Sequence, residues 1–407
     1  MHILYFHQHF STPDGSTGTR SYEMAQRLIA RGHKVTMICG SGKMASSGVQ
    51  GETSNGMRTG SVDGIEVIEF CLPYSNYDSF LKRSWIFLLF AWRSVKLALR
   101  LRYDLLFATS TPLTAGIPGI VASFLRRKPF VFEVRDLWPE LPREMGVITN
   151  PVLLAAMSAL EWMSYHSAKA CIGLSPGIVQ GIKRRGIPSG KVGMVPNGCD
   201  LELFNPFKGE ILRPVGVDAD DFLAIFSGAH GMANGLDAVL DAVVELKHRG
   251  RHDIKIAFIG DGKLKPALVK RATDEGLDNC LFLNPVPKLK LTAYLRGADA
   301  GLMILDNIPA FYYGTSPNKF FDYIAVGLPV INNYPGWLAG IITENSCGCA
   351  VEPGNPKSFA ETLEKLADDK ELAKQMGINA RALAVREFDR KDLGDQFVDF
   401  LERTYQN

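Results

Sequence analysis

The sequence predicts an α/β protein built of two doubly wound, Rossmann-like domains facing a central cleft. Three observations carry this. The chain has 407 residues, more than one core usually covers, so two domains are expected. Short apolar runs alternate with segments of helical period, the pattern of parallel strands covered on both faces. The alternation breaks once, at 196–221, in "PNGCDLELFNPFKGEILRPVGVDADD", which is rich in Pro, Gly and charge, and then restarts.

"MHILYFHQHF" reads as a buried first strand, because it has no basic n-region and no small-residue cleavage site. A Gly/Ser/Thr loop, 11–19, follows. In "RSYEMAQRLIARGHKVTMI" the pairs Met24/Leu28 and Ala25/Ile29 repeat at i, i+4, Gly32 stops the helix, and Val35 to Ile38 resume a strand. Further units are read at "DLLFAT"–"AGIPGIVASFLRR"–"PFVFEV" and "KACIGL"–"PGIVQGIKRRG"–"KVGMVP". Beyond the seam come "FLAIFSG", a helix from about 235 to 247, "IKIAFIGDG", another helix, "LFLN", "AGLMIL" and "PVIN". The first domain is placed at 1–205 and the second at 206–385, with the last helix, about 386–407, crossing back onto the first. Ligands of such open sheets sit beyond the carboxyl ends of the strands, so the loops there are the place to seek chemistry.

Composition narrows the function. The chain is 46% hydrophobic and 22% charged, with a net charge of +2, too small to imply a nucleic-acid partner. Seven scattered cysteines, with only Cys347 and Cys349 close together, fit a reducing compartment and make no metal site. "DADD" at 218–221 lies in the seam, and His7 and His9 lack a standard ligand spacing, so no metal and no cofactor are expected. The longest apolar run, "WIFLLFAW", is eight residues, against the ~20 of a spanning helix. A soluble or surface-bound protein is expected.

Four stretches carry candidate chemistry. "STPDGSTGTR" joins a strand to a helix, and Gly15 and Gly18 let the backbone approach a ligand; a plain flexible loop is the other reading. Arg20 is a cation in the first helical turn. "FSGAHGMANGLDAV" repeats the arrangement, with Ser227 ending a strand, then Gly228, Asn234 and an amphipathic helix buried through Leu236, Val239, Leu240 and Val243. "FEVRDLWPELPREMG" gathers Glu133, Arg135, Asp136 and Glu140 at a strand end. Two readings stand there: a structural ion pair, or catalytic groups Glu133, Arg135 and Asp136.

The fourth is "TSPNKFFDYIAVGLPVI", 315–331, a helix ended by Gly327 with a lysine in its first turn. A helix dipole disfavours a cation there, so an anion is expected beside it. Ser316 is expected to cap the helix and Pro317 to take its first position, leaving the N–H groups of Asn318, Lys319 and Phe320 outward. Amide hydrogens, dipole and ammonium then make a diphosphate seat. Asp322 is placed to accept hydrogen bonds from sugar hydroxyls; a Lys319–Asp322 surface pair is the alternative.

"FLKRSWIFLLFAWRSVKLALRLR", 80–102, mixes six basic residues with Trp, Phe and Leu and contains no acid. Such a stretch suits a membrane interface, its cations on lipid phosphates. A domain helix with a solvated basic flank is the alternative.

The two glycine loops, "VPNGCDLELFNP", "IGDGKLKPAL" and "GLPVI" resemble the retaining, nucleotide-sugar-dependent glycosyltransferases of family 4, which have the GT-B fold. "FEVRDLWPE" with "SPNKFFDYIAVGLPVI" resembles a bacterial subgroup that builds O-antigen and capsule repeats, including N-acetyl-L-fucosamine transferases. The likeness runs over essentially the whole chain, and "VPNG" at 195–198 with Phe204 and Pro206 is its specific part.

The departures matter. The family's His-Asp pair is Arg135-Asp136 here, its loop Arg and Lys fall near Ala229 and Asn234, and its Glu-x7-Glu motif keeps only Asp322. The resemblance implies that Lys319 takes over the diphosphate charge, with Arg20 also stabilising the leaving diphosphate, that Asp322 holds the ribose, and that the segment around Val286 holds the nucleobase. It also implies transfer from a nucleotide-sugar donor, a UDP-linked N-acetylated sugar such as UDP-N-acetyl-L-fucosamine, to a polyprenyl-diphosphate-linked saccharide acceptor at the inner face of the cell membrane. A sugar-nucleotide epimerase of the same architecture and a catalytically silent sugar-nucleotide-binding subunit are the rival readings.

Overall fold

The computed structural model describes residues 1–15, 17–42, 45–75 and 77–406. Its internal contacts divide the chain into two units, one of residues 1–196, 314–316 and 391–407, the other of 197–313 and 317–390. Residues 197–205, placed with the first domain on sequence grounds, cluster with the second unit.

The first unit holds an eight-stranded sheet of β1 (His2–Phe6), β2 (Lys34–Gly42), β3 (Met57–Val62), β4 (Ile65–Tyr74), β5 (Leu105–Thr109), β6 (Phe130–Val134), β7 (Ala170–Gly173) and β8 (Val192–Met194). The order is β3-β4-β2-β1-β5-β6-β7-β8. Every neighbouring pair is parallel except β3–β4, an antiparallel hairpin. Its turn, Asp63-Gly64, has both residues at positive φ, 48° and 82°, as a two-residue hairpin turn demands. The sequence reading missed this hairpin.

Strands buried on both faces read as unbroken apolar runs. Leu106 and Ala108 of β5 face a core with Ile86, Phe90, Ala98, Ala122, Tyr165 and Ile178, contributed by helices Phe80–Arg100, Ile117–Arg126, Pro151–Ser167 and Pro176–Arg184. Phe107, between them, points to the other face and meets Phe397 edge-on at 5.1 Å. Helix Arg390–Gln406 therefore covers that side beside helix Arg20–Ala30, tied by Arg31–Asp399 at 3.0 Å and His33–Glu402 at 2.8 Å.

The second unit holds a six-stranded, wholly parallel sheet of β9 (Phe222–Ser227), β10 (Ile254–Ile259), β11 (Cys280–Leu283), β12 (Ala300–Met303), β13 (Val330–Asn332) and β14 (Gly348–Ala350). The order is β11-β10-β9-β12-β13-β14. Helix Asp237–His248 buries Val239, Leu240 and Val243 against it, with Leu236 just ahead. The order reverses between β9 and β12, and the loops leaving these two strands carry the site described next. Among the described residues, no helix is long and apolar enough to cross a membrane.

Candidate functional site

In the second unit β9 ends at Ser227, whose N–H donates to the Tyr323 hydroxyl at 2.9 Å. Tyr323 belongs to helix Asn318–Val326, so the glycine loop and this helix are held in register. The loop rests on the "GDG" turn after β10. Gly228 N–H donates to the Ile259 carbonyl at 3.0 Å, and His230 N–H to that of Asp261 at 2.9 Å. A methyl on Gly260 would stand 1.9 Å from the Gly228 carbonyl oxygen. Gly260→Ala must therefore displace the loop, and it is expected to weaken nucleotide-sugar binding tenfold or more while the fold persists. Thermal shift with and without the ligand checks this.

Lys319 comes to the same loop. Its ammonium donates to Asn234 Oδ1 at 2.5 Å and lies 4.2 Å from the centre of the Phe226 ring. It thus stands at the position where the family resemblance expected a lysine and the chain has Asn234. Burial pulls its pKa down to about 7. The helix cap differs from expectation. Pro317 is extended (φ −73°, ψ 128°) and is itself the N-cap, with no side-chain cap, so Ser316 lies one residue outside. The Phe320 N–H is not outward either, since it donates to the Pro317 carbonyl at 3.2 Å. Asn318 and Lys319 are the first two helical residues.

Asp322 is 3% exposed. Its Oδ2 takes the Lys288 ammonium at 2.6 Å, and its Oδ1 is buried without a hydrogen-bond partner. The expected alternative pair with Lys319 does not form, because the two side chains leave the helix for different neighbours. Lys288 opens helix Lys288–Arg296, two residues after Val286, so the structure brings the Val286 loop and Asp322 together. Sequence reasoning missed Lys288, although it carries the same signal as Lys319, a cation in a first helical turn.

The sequence also missed His230. It is wholly buried among Phe226, Phe258 and Phe282, and both its ring nitrogens lack partners. Burial, then Lys265, push its pKa down to about 4, so the imidazole is neutral.

In the first unit the charges at the end of β6 separate. Glu133 is 0% exposed; its Oε2 accepts from Arg20 at 2.8 Å and its Oε1 from Thr109 at 2.8 Å. Burial pushes the Glu133 carboxyl up, but Arg20, Arg135 and Thr109 outweigh it and hold the pKa below the usual range. Arg20 also donates to the carbonyls of Pro196 at 2.7 Å and Val195 at 2.8 Å. This corrects the expectation of Arg20 as a diphosphate cation and of Glu133 as a substrate group. Both are spent on a buried pair tying the first helix to β6 and to "VPNG". Glu140 faces Arg184 at 3.1 Å, away from that pair.

Arg135 and Asp136 remain at the strand end, half-buried. β6 stops at Val134, so Glu133 lies on the strand and Arg135 just beyond it. Arg135 Nη1 lies 3.5 Å from His7 Nε2, and Asp136 Oδ2 accepts from the Thr111 hydroxyl at 3.0 Å. Burial, Arg135 and His9 lower the His7 pKa well below its ordinary value, so His7 is neutral and accepts from Arg135. Burial raises that of Asp136. In the first glycine loop Gly15 N–H closes a turn onto the Thr12 carbonyl at 3.1 Å, and Gly18 precedes Thr19, an N-cap without a side-chain cap bond.

Residues 17–203 match the model of Glycosyltransferase Family 4, and 207–383 that of Glycosyl transferases group 1. A D-inositol 3-phosphate glycosyltransferase of Thermomonospora curvata is 26% identical over 211 residues, 47% of this chain and 46% of that protein. An alpha-D-kanosaminyltransferase of Streptomyces kanamyceticus is 24% identical, over 47% and 48%. The chain thus matches about half the length of these curated relatives.

Among solved structures, a sucrose-phosphate synthase of Thermosynechococcus elongatus superposes with a TM-score of 0.76 at 15% identity, covering 100% of this chain and 99% of that one. Anabaena HepE, solved with UDP and glucose, gives 0.69 at 17% over 98% and 99%. These likenesses show the GT-B fold. Residues 17–203 thus resemble a family-4 glycosyltransferase domain and residues 207–383 a group 1 glycosyltransferase domain.

Proposed function

We propose that the protein transfers a sugar, with retention, from a UDP-linked donor to a lipid-linked saccharide acceptor in the assembly of a bacterial surface polysaccharide. The donor class proposed is an N-acetylated sugar such as UDP-N-acetyl-L-fucosamine. The acceptor is read as a polyprenyl-diphosphate saccharide reached at the inner membrane surface through 80–102. One observation carries the donor half: the Lys319 ammonium lies on the Gly228–Asn234 loop beside a helix start that has no side-chain cap. Donor diphosphate oxygens suit such a place.

In this reading Asn318 and Lys319 meet the diphosphate, Ser227 and Gly228 line its approach, and the open Oδ1 of Asp322 accepts from ribose. Backbone groups near Val286 face the base. Arg135 and Asp136 hold donor sugar or acceptor hydroxyl, Gly15 and Gly18 border them, and Ser316 shapes the turn into the helix.

Purified protein screened against UDP-, GDP- and dTDP-sugars should be stabilised by UDP-sugars, and should turn over only when acceptor is added. Free epimer without acceptor would favour the epimerase, and binding without turnover the silent subunit.

The Lys319 pKa gives a second test. With a folded value of about 7 below an unfolded ~10.4, the buried ammonium costs stability below pH 7, and the cost fades as pH rises toward the unfolded value. A bound diphosphate raises that pKa, so binding above pH 7 takes up a proton. Nucleotide-sugar affinity is expected to fall by about tenfold per pH unit above pH 7, read by titration calorimetry. Lys319→Arg should flatten the profile, because a guanidinium stays charged.

A further inference from the structure

At the amino ends of β6 and β7, away from the strand ends that carry Arg135 and Asp136, the first unit opens a cavity of about 740 Å³. Arg127, Lys128, Lys169, Ser123, Ser167 and Tyr405 line it, and among the described residues no carboxylate side chain does. None of the three cations has a carboxylate partner among the described residues; Lys128 lies over the Tyr103 ring at 5.5 Å. Arg127 has φ 52°, a left-handed conformation at the helix end where glycine is usual. The backbone adopts it while presenting a guanidinium to the cavity.

Beside the rim, Phe124 and Leu125 are 83% and 62% exposed. They adjoin helix Phe80–Arg100, because Arg126 donates to the carbonyls of Ala98 at 2.8 Å and Leu101 at 2.7 Å. That helix exposes Leu81, Trp85, Leu88, Trp92 and Leu99, a single stripe at helical spacing. From 79 to 132 the chain has nine Lys and Arg against one acid, Asp104, whose carboxylate takes the His2 N–H at 2.7 Å.

Exposed indoles and aliphatics beside unpaired cations suit an anionic lipid surface better than a nucleic acid, which would not cover the apolar stripe. We propose that the 123–128 tip and its cavity form an anionic phospholipid headgroup site. Phe124 and Leu125 enter the acyl boundary while Arg127, Lys128 and Lys169 hold the phosphodiester. The inference rests on the membrane-surface part of the reading above and adds a second point of contact, which orients the first unit on the bilayer.

The test is cosedimentation of the full chain with phosphatidylcholine vesicles and with vesicles containing about 30% phosphatidylglycerol, at about 0.1 M salt. The wild type should partition to the anionic vesicles at least tenfold better. The R127G/K169E pair should lose tenfold or more of that binding, and R127G relieves rather than adds backbone strain, so folding is preserved. F124S/L125S should also bind more weakly and become more salt-sensitive.

Unchanged binding by both pairs, equal binding to neutral vesicles, or equal competition by inorganic phosphate at matched ionic strength would overturn the site. UDP-sugar stabilisation is read on the same samples. Vesicle binding without it leaves the site standing and removes the donor reading; stabilisation without vesicle binding removes only the site.

Discussion

Lys319→Ala is expected to lower turnover at saturating donor by ~10² or more, the scale of losing one donor aimed at developing charge. The leaving nucleoside diphosphate gains negative charge as the sugar bond breaks, so a fixed ammonium there stabilises the transition state more than the ground state. Among the described residues of the second unit, the side-chain amine in hydrogen-bonding contact with the 228–234 loop is that of Lys319, and a bound diphosphate keeps it protonated. Lys265 is turned to the carbonyls of Gly260 at 2.8 Å and Leu283 at 2.7 Å, and Lys288 is taken by Asp322. The family's loop Arg and Lys are replaced by Ala229 and Asn234, and the nearby Lys265, held by those carbonyls, is not aimed at the loop's ligand side. Lys319→Arg should recover part of the rate. Steady-state assays against donor separate kcat from KM; near-normal kcat for the alanine variant would remove Lys319 from the chemistry.

Glu133→Gln is expected to give the largest loss of stability. The change leaves the Arg20 guanidinium, 3% exposed, without its counter-charge in the interior, at a cost of ~3–5 kcal/mol. At ~2–4 °C per kcal/mol for a unit of this size, melting should fall by roughly 10 °C. Replacing both partners, as in Arg20→Met with Glu133→Leu, should be far milder, because the larger part of the penalty is the stranded charge. The folded carboxyl titrates below its unfolded value, so its stabilisation is present above the unfolded pKa and is lost as pH falls through the folded one. Thermal melts at neutral pH of the wild type, Glu133→Gln, Arg20→Met, Glu133→Leu and the double variant decide the point; additive effects of Arg20→Met and Glu133→Leu would show that the groups are not coupled.

The two sheets were legible because buried parallel strands are unbroken apolar runs, and each of "DLLFAT", "PFVFEV", "KACIGL", "FLAIFSG" and "IKIAFIGDG" became a strand. The β3–β4 hairpin was missed although Asp63-Gly64 is a strong local turn signal; its strands alternate weakly, and half of β3 is exposed. At the site, local signals identified Lys319 and Asp322 but not their partners. That Lys319 meets Asn234, Asp322 meets Lys288 and Tyr323 meets Ser227 depends on which loops the sheet order brings together, and no window of sequence contains it. Arg20 and Glu133 show the converse. Both looked functional because they are charged at strand and helix ends, and their separation of 113 positions hid the pair they form.

The most direct test is a crystal structure of the protein with UDP bound. The account predicts the diphosphate on the Asn318–Lys319 amides, with the Lys319 ammonium moved from Asn234 onto a phosphate oxygen and the ribose on Asp322. A nucleotide bound elsewhere, with Lys319 still on Asn234, would contradict it.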